Sequence, residues 1–380
     1  LPQSLAPFFK RLEVAGRKLS IRALTRMLAR ARAPERPDWG ARPHRVLFLR
    51  HDRIGDMILS TGLLRAIATS HPTISLHVLA SPANAPVLRA DPNVDAVIVF
   101  DRTKPARYLA MLRQLRRSRY DAVIDCMPTA PSLTTLLLMW ASGATHRIGV
   151  AGRGNDAAMT LPVPPRPEAT HIADQLGALA AAFGVDPATT SFHPTIYLDE
   201  AERARASTVW NANAATPDGR RFLLNISAGR AFRRWPDERY VAVIKHVLAR
   251  DPRLTVFVIA APNERERAES IARSAGVRFE QTPTLREALT LVATADMLFT
   301  PDTGLAHAAS AFGRPTVVMY VRGTATQWSL YGSAGHQLSS PDGTLESLRL
   351  EPVLRAVDHL LAETERTHSD AAGNFDRFVR

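Results

Sequence analysis

The sequence predicts an α/β protein made of two doubly wound parallel sheets, and three observations carry that prediction. Short apolar runs of strand length alternate with stretches of helical period from about residue 45 to residue 320. The alternation is run through twice, with a proline-containing connection at 187–194 between the halves. In both halves, turns bearing glycine, serine or aspartate follow directly on apolar strands, at the edge where ligands bind in such sheets.

The elements follow in order. After the Pro-rich link 34–43, the run 45–50 reads RVLFLR, a buried strand, and His51-Asp52-Arg53-Ile54-Gly55-Asp56 leads into a helix over about 57–70. Further strands are expected at 74–80, 96–100, 122–126 and 147–150, with helices near 82–90, 105–117 and 131–141. Residues 152–157 (Gly-Arg-Gly-Asn-Asp-Ala) fit the loose dinucleotide pattern G-x-G-x-x-A, but Pro162, Pro164 and Pro165 leave no room for its helix. A mobile loop is expected there, and a dehydrogenase site is not. A helix at 172–183 closes the first half. The second half is expected to hold strands at 221–227, 255–260, 277–280, 297–300 and 316–320, and helices near 237–250, 264–275, 285–295 and 305–312. A closing helix over 345–363 and a loose tail from 367 complete the chain. The divisions expected are a basic arm at 1–44, an N-terminal domain at 45–190, a C-terminal domain at 191–340, and a closing helix and tail at 341–380. Two Rossmann-like halves facing a central cleft are the natural outcome.

The stretch 296–320, DMLFTPDTGLAHAASAFGRPTVVMY, is one β-α-β step. A helix opening at Asp302-Thr303-Gly304 presents unpaired backbone N–H groups and a positive dipole end, which suits a diphosphate. The plainer reading makes Asp302 or Thr303 an N-cap and His307 a packing residue. Asp-Thr-Gly is also the signature of aspartic proteases, but those need two such carboxylates sharing a proton, and this chain has a single copy among alternating strands and helices.

Composition narrows the classes. At 380 residues and 46% hydrophobic, the chain can fill two cores, and nothing in it suggests disorder. The single cysteine, Cys126, forms no internal disulfide and fits a reducing compartment, so the protein is expected to be cytoplasmic. No apolar run approaches the roughly 20 residues of a spanning helix, and no signal peptide is evident. The net charge of +12 is concentrated at the front: residues 1–45 carry eleven Lys/Arg against three acids. Leu5, Phe8, Leu12, Ala15, Leu19 and Ala23 recur there at helical spacing between basic residues, as in a basic amphipathic helix. Residues 1–32 are expected either to meet an anionic membrane surface or to dock on the protein's own core. No nucleic-acid module accompanies the charge, so nucleic acid is not an expected partner. No metal-ligand spacing, G-x-S-x-G or Walker loop occurs, and no metal or cofactor is expected.

Three loops together resemble a known family. Arg53-Ile54-Gly55-Asp56, the loop 225–229 (Asn-Ile-Ser-Ala-Gly) leading to Arg233-Arg234-Trp235-Pro236, and Asp302-Thr303-Gly304 with His307, Ala309 and Ala311 look like the lipopolysaccharide heptosyltransferases of glycosyltransferase family nine, with the two-domain GT-B fold. The resemblance spans about residues 45–320. It implies metal-free, inverting transfer of a heptose from an ADP-activated nucleotide-sugar donor to a lipid-linked saccharide acceptor of the lipopolysaccharide core. The enzyme would be peripheral on the inner face of the inner membrane of a Gram-negative bacterium. Asp56, at a helix start that would hold it ionised, is then the general base, or else a helix cap. Thr303, Gly304, Ser227, Gly229 and Arg233 would meet the diphosphate, with Arg233 standing where the family usually has lysine, and His307 would donate to a phosphate or simply brace the turn. Asp302 would take sugar hydroxyls or cap the helix, while Trp235 and Pro236 would be structural. Glu264 and Thr284 would lie near the base and ribose, Glu264 reading equally as a solvated helix-start acid. The alternatives are a nucleotide-sugar epimerase on the same scaffold and a degenerate sugar-nucleotide-binding protein.

Overall fold

In the computed structural model, which describes residues 19–29, 36–127, 132–154, 156–217 and 219–378, the chain divides into two units, Leu1–Phe192 and His193–Arg380. In the first, strands β1 (His44–Arg50), β2 (Ile74–Ala80), β3 (Ala96–Val99), β4 (Ala122–Asp125), β5 (His146–Val150) and β6 (Leu161–Val163) form a parallel sheet in the order β3-β2-β1-β4-β5-β6. Central β1 is buried along almost its whole length, the pattern of a strand covered on both faces. Leu47 and Leu49 share a cluster with Met111 and Leu115 of α3 (Tyr108–Arg117) and with Leu136 and Met139 of α4 (Leu133–Ser142). Helix α2 (Ile54–Ser70) packs on α5 (Ile172–Gly177) and is buried nearly all round from Asp56 to Ile67. Its continuous apolar run therefore shows little amphipathic stripe.

The described part of the basic arm, helix α1 at residues 19–29, docks on this unit. Leu28 is buried in the same cluster, Ile21 and Leu24 pack against it, and Arg147 Nη2 donates to the Leu28 carbonyl at 3.0 Å. For these residues the own-core alternative holds. Residues 1–18 and 30–32 of the expected membrane-binding segment lie outside the described residues. Cys126, just past β4, is wholly buried, and burial pushes its thiol well above the usual range.

The second unit repeats the topology. Strands β7 (Arg221–Asn225), β8 (Thr255–Ile259), β9 (Arg278–Phe279), β10 (Met297–Pro301), β11 (Thr316–Tyr320) and β12 (Gly335–Ser339) run parallel in the order β12-β11-β10-β7-β8-β9. In both sheets the order turns back between the first and fourth strands, and that switch point is where such sheets receive ligands. Helices α6 (Glu200–Asn211), α7 (Asp237–Arg250), α8 (Arg265–Ala275), α9 (Leu285–Thr294), α10 (Gly304–Ala311) and α11 (Leu350–Phe378) flank it. Buried Arg286 of α9 pairs with buried Glu202 of α6, and the Trp210 ring stacks on Phe257 at 4.2 Å. Trp235 is structural, as expected: it is buried and its Nε1 donates to the Leu348 carbonyl at 2.8 Å.

Several elements differ from expectation. The helix expected at 82–90 is a single 3-10 turn, Ala85–Leu88, because Asn84 folds back to accept from Ser81 N–H and to donate to the Arg50 carbonyl. The helix expected at 172–183 ends at Gly177 and tightens into 3-10 geometry. Strands β6 and β12 and helix α6 were not anticipated. The tail expected to be loose from 367 continues α11 to Phe378. At 152–157, with Asn155 outside the described residues, Gly152 N–H donates to Asp156 Oδ1 at 2.7 Å, and a 3-10 turn, Asp156–Ala158, takes the place of a helix.

Candidate active site

In the first unit, polar side chains gather at the C-terminal end of β1. Arg50 is fully buried; its Nε donates to Ser60 Oγ at 2.8 Å and its Nη1 pairs with Asp52 Oδ2 at 3.3 Å. Ser60 Oγ in turn donates to the Asp56 carbonyl at 2.8 Å. Asn84 Nδ2 holds the Arg50 carbonyl at 3.1 Å, pinning the loop to the strand next door. His51 is buried beside Phe100 and takes a hydrogen bond at Nδ1 from Arg102 Nη2 at 2.7 Å. Burial first, and then the Arg102 charge, lower its pKa to about 4, so the ring is neutral at physiological pH.

Asp56 sits in the first turn of α2, 5% exposed. It caps nothing: the N-cap position is Arg53, with no side-chain cap bond, and Asp56 Oδ1 is buried without a hydrogen-bond partner among the described residues. Burial pushes its carboxyl up to about 6; Arg50 pulls against this and the Asp52 carboxylate adds to it. Desolvation is thus the largest influence on the Asp56 carboxyl, ahead of the Arg50 guanidinium.

In the second unit the cluster lies across the switch between β7 and β10. Buried Asn225 donates from Nδ2 to Thr300 Oγ1 at 2.9 Å and to Thr303 Oγ1 at 3.2 Å, while its Oδ1 accepts from Ser227 N–H at 3.1 Å. One amide therefore ties both strand ends together. Thr303 is the N-cap residue of α10, yet its side chain makes no capping hydrogen bond. The first N–H groups of α10, from Gly304 on, keep their capacity for an anion. Arg233 Nη1 meets Asp302 at both the carbonyl, 3.1 Å, and Oδ2, 3.0 Å, and Arg233 Nε is buried with no partner among the described residues. Ser227 Oγ accepts from Ala261 N–H at 2.7 Å, and Gly229 is exposed with open space where a Cβ would stand. His307 is buried, its ring 6.4 Å from Trp328.

Two sequence assignments change. Glu264 is not a solvated acid: it is 4% exposed, accepts from Ala228 N–H at 2.7 Å, and pairs with Arg267 at 3.3 Å and Arg234 at 3.4 Å. It braces the 225–229 loop. Thr284 is the N-cap of α9 in a capping box with Glu287, so its hydroxyl and N–H serve that helix. A cavity of about 210 Å³ next to it is lined instead by Ala260, Pro262, Arg265, Phe279, Gln281, Thr282 and Pro283. The structure brings together Ser227, Arg233, Asp302, Thr303 and Gly304, and leaves Thr284 out. Sequence reasoning missed Arg50, Asp52, Asn84, Asn225 and Thr300; the available signal was a charged, amide or hydroxyl residue closing an apolar strand or in the turn after it. Among the described residues no three His, Cys, Asp or Glu side chains are grouped to hold a metal ion.

Comparison with known proteins bears on this geometry. The family model for glycosyltransferase family 9 (heptosyltransferase) matches residues 108–354. Lipopolysaccharide heptosyltransferase 2 of Escherichia coli K12 is 24% identical over 294 residues, covering 73% of this chain and 82% of that protein. A family 9 glycosyl transferase from Veillonella parvula superposes with a TM-score of 0.74 at 19% identity, covering 87% of this chain and 99% of the other. The E. coli heptosyltransferase WaaC, solved with ADP-2-deoxy-2-fluoro heptose, gives 0.67 at 21%, covering 84% and 99%.

Proposed function

Since this chain belongs to glycosyltransferase family 9, the heptosyltransferases, and has their GT-B fold, we propose that it moves a heptose from an ADP-activated donor to a hydroxyl of a lipopolysaccharide-core-like acceptor, with inversion and without a metal ion. The observation that carries the reading is the Asp56 carboxylate: buried, without a hydrogen-bond partner at Oδ1 among the described residues, and raised to about 6, it suits a general base working near neutral pH. The acceptor oxygen attacks the anomeric carbon on the side opposite the departing phosphate, and its proton passes to Asp56. The new C–O bond forms as the bond from carbon to the diphosphate oxygen breaks, and the electron pair leaves with ADP. Negative charge then grows on the leaving oxygen, where fixed donors count most. The N–H groups from Gly304 on, Thr303 and the guanidinium of Arg233 supply them, with Nη1 keeping its hold on Asp302. His307 donates to a phosphate or braces the turn, Ser227 and Gly229 shape the facing loop, and Glu264 holds that loop in place. The base and ribose go to the cavity beside Phe279 and Thr282. The site of action is the cytoplasmic face of the inner membrane; no helix among the described residues is long and apolar enough to cross a membrane.

Asp56→Asn tests this. Transfer from ADP-heptose should fall by about 10²–10⁴-fold, while calorimetry shows donor binding unchanged. Product from donor alone would favour the epimerase, and donor binding without turnover in the unsubstituted protein would favour the binding protein.

A further inference from the structure

A second feature of the first unit is a basic and apolar helix face that the chemistry does not use. Residues 102–119 hold Arg102, Lys104, Arg107, Arg113, Arg116, Arg117 and Arg119 and no Asp or Glu. Asp101, just ahead, pairs with Lys104 at 3.1 Å; Arg102 is given to His51. The remaining cations sit on or beside α3. Leu109, Arg113, Arg116 and Arg117 recur at helical spacing on its outer side, and Leu109 is 63% exposed.

The neighbouring helix adds apolar bulk. On α4, which bears no charged residue, Leu137 and Trp140 stand three apart on the outer side, Trp140 being 50% exposed. The two stripes meet where Arg116 lies across Gly143. That glycine has φ +63°, and a Cβ on it would be 2.0 Å from Arg116 Nη1. Arg22, Arg26 and Met27 are exposed on α1, which packs on the same core. Scattered exposed leucines need no explanation, but a tryptophan with leucines among arginines, unrelieved by any carboxylate on three helices, is the composition of a surface that enters a lipid headgroup layer.

We propose that this α3–α4 face, flanked by α1, is where the protein lies on an anionic lipid surface. Arg113, Arg116 and Arg117 would meet phosphate headgroups, and Leu109, Leu137 and Trp140 would enter between them. The proposal rests on the transferase reading only for what the surface delivers. Arg102, which opens the basic stretch, touches His51 at the same strand edge as Asp56, so an acceptor anchored under α3 has its sugars beside the base.

Flotation of the full-length protein with vesicles of phosphatidylglycerol in phosphatidylcholine, against phosphatidylcholine alone, reads this without donor or turnover. Failure here and failure of the transferase reading are therefore separate results. Binding should require phosphatidylglycerol and should weaken on the order of tenfold in Arg113→Gln/Arg117→Gln. It should also weaken in Trp140→Ser, with both variants melting like the parent. Changing Lys10, Arg11, Arg17 and Lys18 together to Gln should leave most of it. The proposal is overturned if no vesicles bind, or if the arm variant alone loses binding. It is equally overturned if Trp140→Ser binds as the parent does and soluble heparin competes fully, since charge alone would then be at work.

Discussion

Asp56 and Glu264 make an instructive pair. Each is a nearly inaccessible carboxylate at the opening of a helix that follows a parallel strand, one in each unit. The fold answers Glu264 with a backbone N–H and two guanidinium groups, whereas Asp56 Oδ1 has no hydrogen-bond partner among the described residues and the Asp52 carboxylate offsets the pull of Arg50. Burying a charged carboxylate is costly unless it is paired and hydrogen-bonded. Where the cost is met, the acid is architecture; where it is not, the acid keeps an appetite for a proton. Position relative to strand and helix is the same in both, so it is the second layer of contacts that assigns the role.

The largest test of that contrast is Asp56→Asn, with its loss of about 10²–10⁴ in kcat. The acid limb of kcat/KM in the unsubstituted enzyme should have its midpoint near 6. The same variant should be more stable at alkaline pH. Asp56 holds its proton more tightly folded than unfolded, so its favourable contribution is full below about 3.9 and is lost as pH rises through about 6. Removing it should raise stability at pH 8 by an amount on the order of 2 kcal/mol in thermal melts. Glu264→Gln should do the reverse, costing about 3 kcal/mol of stability at neutral pH with kcat falling far less than in Asp56→Asn. A collapse of kcat with the melt unchanged would break the contrast. Next comes Arg233→Ala, which strips Asp302 of its cation and, on the proposed reading, the diphosphate of a donor; ADP affinity should then fall about tenfold by titration calorimetry. Smallest is Thr284→Ala, which removes one side of a capping box and should cost about 1 kcal/mol with ADP affinity unaltered.

Much of the scaffold could be read from residues alone, because both sheets are covered on two faces and their strands are continuous apolar runs such as RVLFLR and TVFVI. The edge strands β6 and β12 were missed for the converse reason: LPV and GHQLS are short, half-exposed and carry proline or glycine. At the candidate site, turn chemistry pointed to Thr303 and Gly304, and the family resemblance to Asp56 and Arg233. Neither could show that Asp302 is engaged by Arg233 or that Asn225 joins two strand ends, since these are contacts between residues 69 and 78 positions apart chosen by packing, whereas the Thr284-x-x-Glu287 capping box was legible in the letters and was passed over. The charge surplus of the arm drew attention to residues 1–45. The acid-free run at 102–119 was equally plain in the letters, but only the placement of Leu109 and Trp140 outward gives it meaning.

The lone thiol, Cys126, has a practical corollary. It is buried just past β4 of the first sheet, and the other unit contains no sulfhydryl at all. A cysteine-specific reagent can therefore label the native chain only as fast as the N-terminal half breathes open, whatever its companion is doing. Labelling rates then serve as a built-in clock for one half of the molecule, without any engineered probe.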